Sequence, residues 1–204
     1  MTVLRMGDAA LEAAAQAIAA GQCIVIPTDT VYGIAADPFS ATAVQRLQDA
    51  KGRGDGFPPP LLVADVTDVD PLVADFPEPA RRLARYWPGP LTLIFRAATT
   101  ASLAGTIGTI GIRVPDHEWT RSLLRKTGPL AVSSANLHGL PAASTVHGAM
   151  HQFQTAESPA LYIDGGTTGF PAPSTVVDFS GEAMVIRRVG VLTTDDIEAV
   201  ASDA

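Results

Sequence analysis

Apolar residues in this chain come in short runs, and glycine or proline closes nearly every one. That punctuation predicts many short elements rather than a few long ones. Asp8, followed by Ala9, Ala10, Leu11 and Glu12, reads as the N-cap of a helix that Gly21 closes. Residues 23–26 form a short apolar strand. Ser40 is placed to cap a helix through Ala50 that carries Ala43, Val44 and Leu47 on one face. The Gly- and Pro-rich stretch 52–60 cannot be regular structure. Further strands are expected at 61–63, 91–96, 109–114, 130–133, 161–163, 175–177 and 184–187. Further helices are expected at 78–86, 119–127 and 146–152, with a last one capped by Thr193 or Thr194 and running to Ala201. Strands and helices are interspersed, so the fold class is α/β (α+β) with a mixed sheet.

Composition narrows the picture. A chain of 204 residues is expected to be a single domain over 1–204. Scaling gives roughly 9,000 Å² of folded surface, with about 70% of the unfolded surface buried. Hydrophobic residues are 47% and charged residues 17%, which excludes disorder as the default. Cys23 is the single cysteine, so neither an intrachain disulfide nor a cysteine zinc cluster can form. The N-terminus has no long apolar segment and no run reaches membrane-spanning length, so a cytoplasmic protein without a membrane partner is expected. The net charge of −7 makes a general coat for nucleic acid a poor reading. A local cationic pocket remains compatible with it.

Common chemical motifs are missing. No Gly-Lys pair exists, so there is no P-loop. Gly52, Gly54 and Gly56 imitate the start of a dinucleotide fingerprint, but they follow a helix and run into three prolines. No Gly-x-Ser-x-Gly elbow occurs. His147 and His151 have the spacing of zinc ligands on a helix, but no third ligand is evident, and a solvated face explains them better.

What remains is a series of polar residues at element ends. Thr28, Asp29 and Thr30 follow an apolar strand directly; turn chemistry alone would account for them. Lys51 and Arg53 flank a glycine at a helix end, which suits either the helix dipole or a phosphate. Arg113 interrupts an apolar strand; turned inward it needs an anion, and a substrate carboxylate would serve. Ser133, Ser134 and Asn136 end another strand, where they could cap a helix or contact phosphate or ribose. Ser174 opens a strand and Arg188 closes one. Ligands of open sheets bind outside strand ends.

The order of these segments resembles the YrdC-like family, the threonylcarbamoyl-AMP synthases of tRNA modification. The resemblance rests on Pro-Thr-Asp-Thr-Val-Tyr-Gly at 27–33, Lys-Gly-Arg at 51–53, Trp-Pro-Gly-Pro-Leu-Thr at 87–92, and Thr-Ile-Gly-Ile-Arg-Val-Pro at 109–115. Ser-Ala-Asn at 134–136, Ser-Thr-Val-Val-Asp at 174–178 and Arg-Val-Gly at 188–190 complete it. It implies an open, twisted, mixed sheet with flanking helices around a concave site, in a stand-alone single-domain form. It implies a nucleotidyltransferase that joins L-threonine, bicarbonate and ATP into threonylcarbamoyl-AMP, with release of pyrophosphate. Mg²⁺ is expected on the ATP phosphates, with no metal site of the protein's own. A partner transferase complex would then modify tRNA, and weak direct tRNA binding is possible.

By the same resemblance Thr30, Arg113 and Ser174 contact threonine. Arg53, Thr109, Ser134, Asn136 and Arg188 contact ATP, while Lys51 and Arg53 supply catalytic charge neutralisation. Four of the 14 Lys and Arg residues (Lys51, Arg53, Arg113 and Arg188) are thus expected to face one pocket. Tyr32 and Asp29 are candidate general bases. Three positions depart from the family pattern: Ala64 for a His, Ala142 for a Ser and Pro173 for a Glu. The competing readings are a non-catalytic YrdC-like RNA-binding module and a carbamoyl-adenylate domain of hydrogenase-maturation type. The latter type carries zinc-finger cysteines absent here.

Overall fold

A computed structural model of the chain describes residues 1–52, 59–104, 108–154, 158–169 and 172–202. Ten strands among them form one mixed sheet in the order β1-β8-β2-β3-β7-β4-β6-β5-β9-β10. The strands are β1 (Thr2–Arg5), β2 (Ile24–Ile26), β3 (Gly33–Ala36), β4 (Leu61–Leu62), β5 (Leu91–Arg96), β6 (Thr109–Arg113), β7 (Leu130–Ser134), β8 (Leu161–Asp164), β9 (Thr175–Asp178) and β10 (Val185–Arg188). The helices are α1 (Asp8–Ala19), α2 (Ala41–Ala50), α3 (Glu78–Leu83), α4 (Glu118–Thr127), α5 (Val146–Gln152) and α6 (Thr194–Ala201). Four pairs are parallel (β1·β8, β2·β8, β4·β6 and β5·β9) and the other five are antiparallel. No helix among the described residues is long and apolar enough to cross a membrane. The accessible surface is 9307 Å², close to what chain length implies.

Strand alternation divides the core. In the half built from β2, β3, β7 and β8, Ile24, Ile26, Val132 and Ile163 pack under α1 and α4. Their alternates Val25, Ile34 and Tyr162 pack under α2 and α5. Both faces are covered, which is why these strands read as continuous apolar runs. In the other half, Leu61, Leu93, Phe95, Ile112 and Val177 pack under α3 and α6. Successive strand residues point to opposite faces. On the face opposite α3 and α6, Leu62, Thr92 and Arg113 line a cavity.

Most expected elements are present within a residue or two. Ser40, Thr145 and Thr193 each accept a hydrogen bond from the backbone N–H three residues on, as N-caps do. Three readings need correction. Asp8 is the first helical residue of α1, and Gly7 is its cap. The strand β1 was not anticipated; it pairs with β8 at a sheet edge and is largely exposed, and Val3 and Leu4 are too short an apolar run to mark a strand. Nor was β3, whose Gly-Ile-Ala-Ala sequence has weak strand propensity. It is a strand because its small residues fit: a Cβ on Gly33 would lie 2.5 Å from Val132 Cγ1.

Candidate active site

A cavity of about 350 Å³ opens where the 27–33 segment, β4, β6, β7 and the segment before β9 converge. Thr30, Arg113, Ser134, Asn136, Ser174 and Arg188 all line it. Residues more than 150 positions apart in sequence are thereby brought to one site.

Arg113, at the end of β6, is 7% exposed. Its Nε donates to the Gly89 carbonyl at 2.9 Å, one terminal nitrogen donates to Thr30 Oγ1 at 2.9 Å, and the other to Asp29 Oδ1 at 2.6 Å. Burial pulls the guanidinium below its ordinary value, and Asp29 offsets part of that. A guanidinium has five N–H groups. Three are engaged, which leaves one on each terminal nitrogen for a ligand.

The 27–33 segment is tied to its own backbone through Thr28. Thr28 Oγ1 donates to the Val31 carbonyl at 2.6 Å and accepts from Thr30 N at 3.2 Å and Val31 N at 3.3 Å, so its proton and both lone pairs are engaged. The Thr30 hydroxyl approaches it at 3.2 Å and accepts from Arg113. With Thr28 saturated, Thr30 keeps its proton and one lone pair, so toward a ligand it can donate or accept.

Tyr32 is fully buried; its hydroxyl donates to the Gly166 carbonyl at 2.7 Å and accepts from Gly165 N at 3.0 Å. Burial raises its pKa, so Tyr32 is unsuited to act as a base.

Across the cavity, the Ser174 and Thr92 hydroxyls are 2.9 Å apart. The Ser174 carbonyl accepts from Arg188 Nε at 3.1 Å and from a terminal nitrogen at 2.9 Å. Desolvation and then the charge of Arg113 lower the Arg188 pKa. Two mutually repelling cations at one cavity favour an anionic occupant. Gly190 makes this corner possible, because a Cβ there would lie 2.2 Å from the Pro173 carbonyl and 2.6 Å from Ser174 C. Gly190→Ala is expected to destabilise the fold by about 2 kcal/mol, lowering Tm by roughly 4–8 °C. Thermal unfolding followed by circular dichroism checks this; an unchanged Tm would show that the corner yields freely.

Lys51 lies elsewhere than expected. It is 3% exposed and does not line the cavity. Its ammonium donates to the Ser134 carbonyl at 2.5 Å and the Asn136 carbonyl at 2.8 Å, bracing the turn after β7 from behind. Asn136 uses both amide hydrogens internally, on the Leu137 and Leu140 carbonyls, each at 2.8 Å. Thr109 shares the face of Arg113 but starts β6, roughly 13 Å away at strand rise, and does not line the cavity. Arg53 lies outside the described residues. Of the departures, Ala142 and Pro173 line the cavity, whereas Ala64 is buried in the core under α1 and α4. His147 and His151 are exposed on α5, as the solvated-face reading expects.

Sequence reasoning missed Thr92 as a lining residue. The signal was available: it is the one polar residue between leucines in an apolar strand, and alternation puts it opposite α3.

Comparisons with known proteins place this geometry. A family model described as telomere recombination, Sua5_yciO_yrdC, matches residues 16–190. A relative from Mycobacterium tuberculosis (strain H37Rv) is 41% identical over 187 residues, covering 90% of this chain and 85% of the relative. The threonylcarbamoyl-AMP synthase of Bacillus subtilis (strain 168) is 34% identical over 202 residues, covering 97% of this chain and 58% of that protein. The crystal structure of Pyrococcus abyssi Sua5 complexed with L-threonine superposes with a TM-score of 0.88 at 33% identity, covering 98% of this chain and 60% of that one.

Proposed function

The chain belongs to the Sua5/YciO/YrdC family, and from that premise we propose that it is an L-threonylcarbamoyladenylate synthase. It joins L-threonine, bicarbonate and ATP, releasing pyrophosphate and water, for N6-threonylcarbamoyladenosine modification of tRNA. The observation that carries this reading is Arg113: a buried guanidinium anchored at three points, with two N–H groups left beside the Thr30 hydroxyl. Two charged N–H groups complement a carboxylate, and the hydroxyl beside them adds a polar contact for the rest of an amino acid. A relative's complex with L-threonine supports the same assignment.

The chemistry needs little covalent work from the protein. The threonine amine nitrogen bonds to the carbon of CO₂, formed from bicarbonate by loss of water, and gives up a proton. A carboxylate oxygen of the resulting N-carboxythreonine then attacks the α-phosphate. The bond from the α-phosphorus to the bridging oxygen breaks, and pyrophosphate leaves. Arg113 and Thr30 hold threonine, Ser174 completes that wall, and Arg188 offers charge to the phosphates. Positioning and charge neutralisation supply the rate enhancement. Arg53, Thr109, Ser134 and Asn136 belong to the ATP side of this proposal, and Mg²⁺ enters as the MgATP substrate. Nucleotidyl transfer, a cytoplasmic location and a partner transferase that consumes the product are parts of the same reading.

A cavity of about 350 Å³ suits small substrates and favours catalysis over an RNA-binding module. The test is an assay of purified protein with threonine, bicarbonate and MgATP, following pyrophosphate. Threonine-dependent release is expected; release that ignores threonine, or none, would sink the proposal.

A further inference from the structure

Asp29 sits behind the cavity rather than in it. Its side chain is 6% exposed, and it lines a second, smaller cavity with Asp116 and His117 instead. Its Oδ1 takes the second terminal nitrogen of Arg113 at 2.6 Å, while Oδ2 is buried with no hydrogen-bond partner. Of the three anchors on Arg113, Asp29 is the charged one, and charge-assisted bonds are roughly twice as strong as neutral ones. Asp29 therefore decides which N–H of that nitrogen remains directed at a ligand. It also gives the buried Arg113 guanidinium an opposite charge at 2.6 Å, whereas the Arg188 guanidinium donates to the neutral Ser174 carbonyl.

We propose that Asp29 is a positioning residue for the amino-acid half of the site: held by Asp29, Arg113 offers a fixed, charge-compensated pair of N–H groups. The cavity is thereby divided into a subsite for the zwitterion, at the Asp29-paired Arg113, and one for phosphate, at Arg188, whose guanidinium bonds the Ser174 carbonyl. This rests on the synthase reading for the identity of the amino acid, but the hold on Arg113 does not depend on it.

The experiment compares Asp29→Ala with Asp29→Asn, which loses the charge but keeps an oxygen acceptor. The first readout needs no substrate. In ¹⁵N-labelled protein, the Arg113 Nε–H resonance, identified by its loss in Arg113→Lys, is expected to be sharp in the wild type, broadened by Asp29→Ala and recovered in Asp29→Asn. The second readout is kinetic. Asp29→Ala is expected to raise the threonine KM at least 20-fold with the ATP KM within about twofold, and Asp29→Asn, which keeps the acceptor but loses the charge, to raise the threonine KM by a clearly smaller factor with the ATP KM again within about twofold. Equal shifts in both KM values, an unchanged threonine KM in Asp29→Ala, or an Asn variant as impaired as the Ala one would overturn the proposal. Should Asp29→Ala fail to fold, Asp29→Ser, too short to reach Arg113, replaces it. If the resonance behaves as expected but the wild type shows no affinity for threonine, the synthase reading fails while the hold of Asp29 on Arg113 stands.

Discussion

Arg113→Lys is expected to raise the threonine requirement at least a hundredfold while leaving the ATP requirement within a few-fold. The native guanidinium serves Gly89, Thr30 and Asp29 and still has two N–H groups to offer. An ammonium has three donors in all, too few for three protein partners and a carboxylate. Losing the two charge-assisted bonds to substrate amounts to about 3 kcal/mol, a little over two decades in affinity. Lys is the better probe than Ala because it keeps a cation beside Asp29. Arg113→Ala leaves that carboxylate buried and unpaired, a change that destabilises by about 3–5 kcal/mol and confuses folding with binding. Initial rates against each substrate, with the other saturating, decide the matter. A parallel rise in both KM values would remove Arg113 from the threonine subsite.

Lys51→Met is expected to act first on stability. The variant replaces a buried ammonium that holds two backbone carbonyls, so those acceptors lose their charged donor. A loss of about 2–4 kcal/mol follows from the strength of charged hydrogen bonds, or roughly 4–16 °C in Tm. Because the freed turn carries Ser134 and Asn136, the ATP KM should rise with it. Urea unfolding and kinetics on the same samples separate this role from a chemical one. A variant with unchanged stability but a thousandfold lower kcat would return Lys51 to the catalytic role that the motif resemblance implies.

These two cations show where sequence reading reached its limit. Both sit in recognisable motifs, and both were expected to face one pocket. Arg113 faces it because β6 alternates, with Ile112 packed under α3 and α6 and its neighbour on the opposite face. Lys51 ends α2 one turn past Leu47, and its long stem carries the ammonium beneath the turn that follows β7. Motif order could not distinguish these outcomes, because a cation beside a strand end can serve either a ligand or a carbonyl. The same limit applies to Asp29. Its neighbours suggested a turn, and the turn is there, but Arg113, 84 residues on, is what gives its carboxylate a second task.

The sequence by itself determined the class of fold, the position of most elements, the caps Ser40 and Thr193 and the identity of the polar residues available for chemistry. Local rules suffice for these: apolar periodicity, capping oxygens and the punctuation of glycine and proline. Tertiary structure alone decided which face of the β4–β6–β5–β9 half stays free of a helix, and hence which polar residues become a site. Alternation states that a strand has two different faces; only the packing of distant helices determines which one is buried. The triple anchoring of Arg113 by Gly89, Thr30 and Asp29 belongs to the same level, since its partners are brought near only by folding.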